Sequence, residues 1–168
     1  RRQRQMCIRD RGKGQQDIPE TQYVEALIKD LDDDIKRFNL ANRQLHTIFI
    51  GGGTPSLFSA EAIGDILNQV KSRFIIDEER FEVTLEANPG TVEADKFSGF
   101  AKAGVTRLSI GVQSFESDKL IKLGRIHDSN QAKRSAEFAH QAGIKSFNLD
   151  LMHGLPDQNL TNALDDLK

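Results

Sequence analysis

Three segments of this chain alternate apolar and polar residues, and each polar row ends in a side chain that can hold a charged ligand. The segments read FEVTLEA, TRLSIGVQ and IKSFNLDL, and their polar rows end at Glu86, Gln113 and Asp150. Successive side chains of a strand point to opposite faces, so each strand has one polar face. Strands covered by helices on both faces are nearly all apolar instead. The pattern favours a cavity for a polar ligand at the carboxyl ends of the strands; an open sheet with one hydrated face is the alternative.

A glycine-rich turn, TIFIGGGTPS at residues 47–56, follows another short apolar run. It lacks the lysine and the spacing of a phosphate-binding loop, and Pro55 interrupts any continuation into a helix of the dinucleotide-binding type. The glycines leave backbone N–H and C=O groups open to close approach. This suits a zwitterionic group such as the ammonium and carboxylate of an amino acid. A tight turn that needs positive φ explains the glycines equally well.

The elements that position these residues are strands alternating with helices. Predicted strands are HTIFI, FEVTLEA, VTRLSIGV and IKSFNLDLM, and apolar residues at three- and four-residue steps predict helices between them. The helix-boundary signals are Ser59, Thr91 and Asp128 as N-caps, and Gly104 and Gly143 after C-terminal ends. A last helix is predicted from about Leu160. This order predicts right-handed βαβ units and a parallel sheet.

Composition excludes several classes of protein. The net charge is −2 with acidic and basic residues mixed, which gives no general argument for binding nucleic acid or an anionic membrane. No apolar run approaches the length of a membrane span. A single cysteine, Cys7, excludes a disulfide framework and a metal site built from cysteines of this chain alone. We therefore expect a cytoplasmic protein.

The first thirteen residues differ from the rest. RRQRQMCIRDRGK carries six basic residues against one acid. A basic arm for a polyanion is one interpretation; a non-native or disordered leader is favoured, because nothing downstream supports a polyanion site. Residues 14–168 are predicted to form the domain.

Five motifs occur in a fixed order at or just after predicted strand ends: GGGTPS, EANPGT, GVQSF, LGRIH and NLDLMHGLP. Together they resemble the radical S-adenosylmethionine (SAM) superfamily, in particular the branch that holds oxygen-independent coproporphyrinogen III oxidases and HemW-type heme chaperones. The resemblance runs from about Ile18 to Lys168, and EANPGTVEADKF, LGRIH and FNLDLMHGLPDQ favour the HemW side. It implies an α/β fold, a partial (β/α)6 TIM-like barrel of parallel strands.

The resemblance also implies a site. Two glycines and a threonine would meet the amino end of SAM, Glu86 would hold its polar groups, and three further residues would complete the cradle. The implied SAM-binding residues are Gly52, Gly53, Thr54, Glu86, Gln113, Arg125 and Asp150. The charges suit SAM, because two carboxylates offset its sulfonium and ammonium while a guanidinium meets its carboxylate.

The sequence departs from the family where the [4Fe–4S] cluster should be held. The family's CxxxCxxC loop and first barrel strand would lie just before Gly14, where the chain reads RRQRQMCIRDRGKG. Cys7 alone cannot hold a cluster that needs several thiolates. We therefore expect no metal ligands in this chain, and a barrel truncated at its first strand and at its C-terminal region.

Two functions follow from the resemblance: a heme chaperone that passes heme to an acceptor protein, or an oxidase that decarboxylates the propionates of coproporphyrinogen. His127 and His153, both in loops that follow strands, could ligate heme, although a structural or solvated role is the commoner one for such histidines. An unrelated phosphate-binding α/β barrel is a weaker alternative.

Overall fold

A computed structural model describes residues 18–125 and 127–168, with the backbone alone for residues 91–95. The strands are β1 (Gln44–Leu45), β2 (Thr47–Ile50), β3 (Ile75–Ile76), β4 (Glu82–Ala87), β5 (Arg107–Gln113) and β6 (Ser146–Leu151). The helices are α1 (Glu20–Arg37), α2 (Ala60–Lys71), α3 (Thr91–Ala103), α4 (Ser117–Lys122), α5 (Ser129–Gln141) and α6 (Leu160–Asp165), with a 3₁₀ turn at Pro55–Leu57.

Four strands form one parallel sheet in the order β2-β4-β5-β6. The register aligns Glu86 with Ser109 and Ser109 with Asn148, so one polar row crosses three strands. The predicted alternation is therefore confirmed at the level of the sheet: its polar positions share a face, and their carboxyl-terminal members lie at one edge.

The apolar face of the sheet packs against α2, α3 and α5. Leu85 and Leu108 of the sheet and Phe97 and Phe100 of α3 are all 0% exposed, and they belong to one continuous apolar cluster. Helices α2 and α3 approach closely, because a Cβ at Gly99 would lie only 2.8 Å from the Cβ of Ala60. This one-sided core leaves the opposite face of the sheet for the polar rows.

A second, two-stranded parallel sheet was not predicted. β1 pairs with β3, with Gln44 opposite Ile75 and Leu45 opposite Ile76. Two residues are too few to show a period of two, so this sheet carries no signal in the sequence pattern.

Helix boundaries agree with the sequence signals except at the start of α3. Ser59 accepts a hydrogen bond from the amide of Ala62, and Asp128 forms a capping box with Gln131. Gly104 adopts the left-handed conformation, φ 110°, at the end of α3. The prediction of Thr91 as an N-cap is wrong: Thr91 is the first helical residue, and Gly90 occupies the N-cap without any side chain to offer. Gly tolerates this position nearly as well as the polar caps do.

The predicted leader, residues 1–13, lies outside the described residues, as does Cys7. Among the described helices, none combines the length and the apolar character needed to cross a bilayer.

Candidate functional site

A cavity of about 320 Å³ opens at the carboxyl ends of the strands. It brings together all seven residues that the sequence predicted for a ligand site, together with five others. The lining residues are Gly52, Gly53, Thr54, Pro55, Glu86, Ala87, Asn88, Ser109, Gly111, Gln113, Arg125 and Asp150. The common location is a finding, whereas the role of these residues in binding stays a prediction.

The glycine-rich turn needs its glycines for backbone conformation. Gly52 and Gly53 have φ of 87° and 65°, and a Cβ on either would meet no atom within 4 Å. Glycine is therefore required at these positions by the left-handed backbone conformation, since a side chain would have enough space. The turn also directs an N–H into the cavity, since the amide of Gly52 donates to Glu86 Oε2 at 3.0 Å. The two interpretations of the glycines, turn and ligand contact, are compatible.

Two anchors fix the turn to the rest of the domain. Lys96 Nζ on α3 donates to the carbonyls of Ser56 and Leu57 at 3.3 and 3.0 Å. Glu20, the first residue of α1, accepts from the amide and the hydroxyl of Ser59 at 2.7 and 2.6 Å. These contacts tie residues 54–59 to α1 and α3, so the turn meets the cavity in a defined orientation.

The carboxylate of Asp150 is held by its neighbours on the polar face. Ser109 Oγ donates to Asp150 Oδ2 at 2.7 Å, and Asn148 Nδ2 donates to Asp150 Oδ1 at 2.5 Å. Asn148 Nδ2 also contacts Ser109 Oγ at 3.2 Å. Asp150 itself is exposed to the cavity. With Glu86 on β4, it gives the cavity two carboxylates on different strands.

Gln113 and Arg125 converge over Gly111. A Cβ at Gly111 would lie 3.0 Å from Gln113 Nε2 and 3.4 Å from Arg125 Nη2. Arg125 also reaches Asn88 Oδ1 at 3.4 Å and the carbonyl of Gly111 at 3.5 Å. The absence of a side chain at Gly111 thus creates the space in which an amide and a guanidinium meet.

Sequence reasoning missed Pro55, Ala87, Asn88 and Gly111 as cavity residues. The alternation placed Ala87 on the apolar side of β4, and Ala87 belongs to the apolar cluster as well as to the cavity wall. Gly111 lies on the polar row between Ser109 and Gln113, so the period of two could have identified it. Asn88 directly follows β4 within EANPGT, which is a strand-end position of the kind that already pointed to Glu86.

The two loop histidines differ in accessibility. His127 is 7% exposed, and its Nε2 lies 3.0 Å from the carbonyl of Val112, to which it donates because a carbonyl can only accept. That contact and its burial give His127 a structural role. His153 is exposed in the loop after β6.

The sequence profile of the radical SAM superfamily matches residues 6–167. The chain therefore belongs to the radical SAM superfamily. Its sequence is similar to that of heme chaperones: it is 56% identical over 154 residues to the heme chaperone HemW of Haemophilus influenzae and 53% identical over 152 residues to that of Escherichia coli. Each alignment covers 90% of this chain, but the chain spans only about two fifths of the curated relatives, 40% and 39% of their length.

A solved structure shows the same fold. The coproporphyrinogen III oxidase HemN of Escherichia coli, described as a radical SAM enzyme, superposes with a TM-score of 0.77 at 27% identity. The superposition covers 92% of this chain and 35% of that one. The parallel α/β fold predicted from the sequence, part of a TIM-like barrel, is thereby confirmed, as is the resemblance to the HemW and coproporphyrinogen oxidase branch.

Membership of this superfamily implies SAM and a [4Fe–4S] cluster, and the two groups fit this chain differently. The cavity offers two carboxylates, a guanidinium and backbone N–H groups, which match the charges of SAM. The cluster does not fit, because the chain has one cysteine and the cluster needs several thiolates. Among the described side chains, those of residues 18–90, 96–125 and 127–168, no group of three His, Cys, Asp or Glu could hold a metal ion in their place.

Proposed function

We propose that this chain is the SAM-binding portion of a HemW-type heme chaperone. The observation that carries the proposal is the cavity itself, where Glu86, Asp150 and Arg125 meet the glycine-rich turn. The HemW identity is supported by the 56% and 53% identical relatives, both heme chaperones.

The groups of the cavity can recognise each charged part of SAM. Glu86 and Asp150 would face the two cationic groups of SAM: a carboxylate would accept charge-assisted hydrogen bonds from the ammonium and attract the sulfonium by charge alone. Arg125 would donate charge-assisted hydrogen bonds to the carboxylate of SAM. Gln113 would add an amide that both donates and accepts. The Glu86 carboxylate already accepts from the amide of Gly52, so this interaction orients it before the ligand arrives.

The proposal for this chain is ligand binding without a redox step. A cluster supplies the electron for SAM cleavage in the superfamily, and the single cysteine of this sequence cannot hold one. Because the iron of a cluster is missing as an additional contact, we expect a dissociation constant for SAM in the millimolar range, which corresponds to a binding free energy of about 4 kcal/mol.

Titration of SAM by calorimetry or ligand-detected NMR tests the proposal. Glu86→Gln removes a charge-assisted contact worth about 1.5–3 kcal/mol, so binding should weaken by about tenfold or more. Glu61→Gln is the matched control, because Glu61 is exposed on α2 away from the cavity. Equal affinity of the wild type and Glu86→Gln would refute the carboxylate role.

We also propose that the chain takes part in handling heme, which a whole protein of this type would pass to an acceptor protein. His153 is the better candidate ligand of the two loop histidines, because His127 is buried and bonded to Val112. Titration with hemin should give a Soret shift that His153→Ala removes. His140→Ala, an exposed position on α5, should leave the shift unchanged; equal loss in both variants would refute specific ligation.

Two alternatives are less well supported. Coproporphyrinogen oxidation is favoured by the superposition on HemN, but the identity there is 27%, against 56% for a heme chaperone. A phosphate-binding barrel is disfavoured by charge, because the two carboxylates Glu86 and Asp150 line the cavity beside Arg125.

A further inference from the structure

Gln113 occupies a strained position at the edge of the cavity. Its φ is 74°, a left-handed conformation that non-glycine residues rarely adopt, and its side chain is buried with 8% of its surface exposed. Such a conformation costs free energy and persists only where surrounding contacts fix it. The residues that supply those contacts therefore control where the Gln113 amide lies.

Contacts on the strand side hold the backbone around Gln113. The pairing of β5 with β6 shifts register between Ile110 and Gln113, as in a β-bulge. The carbonyl of Val112 accepts from His127 Nε2 at 3.0 Å. The carbonyl of Gln113 accepts from the amide of Met152 at 2.8 Å. His127 thus satisfies a carbonyl directly before the left-handed residue.

A buried carboxylate holds the segment on the other side. Asp166, at the end of α6, accepts from Ser114 Oγ at 2.8 Å and from the amide of Phe115 at 2.7 Å. Asp166 is 6% exposed and Ser114 is fully buried. Ser114 Oγ in turn accepts from the amide of Glu116 at 3.1 Å. Both residues after Gln113 are therefore bonded to one carboxylate that lies more than fifty positions away in the chain.

We propose that Asp166 and His127 are positioning residues. They fix the left-handed backbone at Gln113 and thereby direct the side-chain amide of Gln113 into the cavity. Neither lines the cavity itself. The consequence for SAM rests on the proposed function, whereas the effect on Gln113 does not. Asp166→Asn tests the carboxylate, since asparagine keeps the shape but loses the charge and one acceptor. Asp165→Asn is the matched control, because Asp165 is the preceding residue and its side chain is 50% exposed.

Hydrogen exchange tests the positioning without a ligand. The amide of Met152 reports on Gln113, to which it donates, and the amide of Leu85 in the buried part of β4 reports on the whole fold. Asp166→Asn should speed exchange at Met152 by about fivefold or more relative to Leu85, through local opening. Asp165→Asn should leave the ratio unchanged. Equal acceleration at both amides, or none, would overturn the proposal, because Asp166 would then support the fold in general or nothing at all.

A double-mutant cycle tests the link to binding. Asp166→Asn should weaken SAM binding by about fivefold when it is made in the wild-type chain. The same substitution should weaken binding by less than about twofold when it is made in the Gln113→Ala variant. Additive losses would overturn the positioning role, since Asp166 would then act by another route. If the wild type binds no SAM at all, the proposed function fails, while the Met152 exchange still decides the positioning of Gln113.

His127→Gln provides a second variant that does not depend on Asp166. Its amide can still donate to Val112, so it should retain most of the Met152 protection, whereas His127→Ala should lose it. Equal loss of protection in both variants would overturn the part assigned to the Val112 contact.

Discussion

Replacing Gly111 with alanine adds one methyl group where two cavity side chains meet. The new Cβ would lie 3.0 Å from Gln113 Nε2, 3.4 Å from Arg125 Nη2 and 3.8 Å from the carbonyl of Ala87. The first distance is too short for an ordinary contact, but both near atoms are ends of flexible side chains. They can move by a few tenths of an ångström without disturbing the core.

Stability and ligand affinity should therefore respond differently. The φ of Gly111 is not positive, so alanine can adopt the same backbone conformation. Alanine stabilises the fold by about 0.4–1 kcal/mol there, because it lowers the conformational entropy of the unfolded chain. We expect this gain to offset most of the local crowding, leaving the free energy of unfolding within about 1 kcal/mol of the wild type. A shift of Gln113 or Arg125 weakens a contact to a charged ligand whose full loss would cost about 1.5–3 kcal/mol, so SAM affinity should fall by up to about tenfold.

Two measurements on one pair of variants decide the outcome. Urea unfolding gives stability, and SAM titration gives affinity, for Gly111→Ala and for Gly64→Ala. Gly64 is the control, since its Cβ would make an ordinary contact of 3.6 Å with Ala103, away from the cavity. Unchanged affinity in Gly111→Ala would refute the placement of Gln113 and Arg125 as ligand contacts. A large loss of stability would show that Gly111 serves packing instead.

Two further predictions concern stability. Gly99→Ala brings a Cβ to 2.8 Å from the Cβ of Ala60 between α2 and α3, so we expect a net loss of about 1–2 kcal/mol in urea unfolding despite the gain in helix propensity; a stabilised variant would contradict this packing. Arg73 donates to Asp32 in a bidentate pair, and this hydrogen bond lowers the pKa of Asp32. Because the folded-state pKa lies below the unfolded one, the pair stabilises the fold above the unfolded-state pKa, and this contribution is lost as the pH falls through the folded-state pKa. The melting temperature of Asp32→Asn should accordingly fall less steeply with decreasing pH than that of the wild type. Equal pH dependence of the two melting temperatures in acid would show that the pair does not stabilise the fold.

The polar cavity could be predicted because the signals for it lie in neighbouring residues of the sequence. Alternation along β4 placed Val83 and Leu85 in the core and Glu86 on the opposite face, and the structure agrees. The ends of parallel strands meet at one edge of a sheet, so the sequence alone predicts that Glu86, Gln113 and Asp150 converge. The two capping side chains, Ser59 and Asp128, were likewise local signals.

What the sequence could not show depends on contacts between distant residues. The left-handed bend at Gln113 has no signature in GVQSF, because glutamine carries no preference for that conformation. Asp166, which is bonded to Ser114, lies more than fifty residues further along the chain. The contact of His127 with the carbonyl of Val112 joins residues 15 positions apart, and no local pattern signals it. Thr91 shows the limit even of local rules, since a threonine beside a glycine at a helix start can be the first helical residue as well as the cap.

The most direct test of a SAM-binding cavity is an NMR titration of the uniformly ¹⁵N-labelled chain with SAM. Saturable shifts should concentrate at the amides of Gly52, Gly53, Glu86 and Gln113, with a dissociation constant in the millimolar range, about 4 kcal/mol. Amides of α1 and α5 should not move. Saturable shifts centred elsewhere, or shifts that stay linear to the solubility limit of the ligand, would contradict the account.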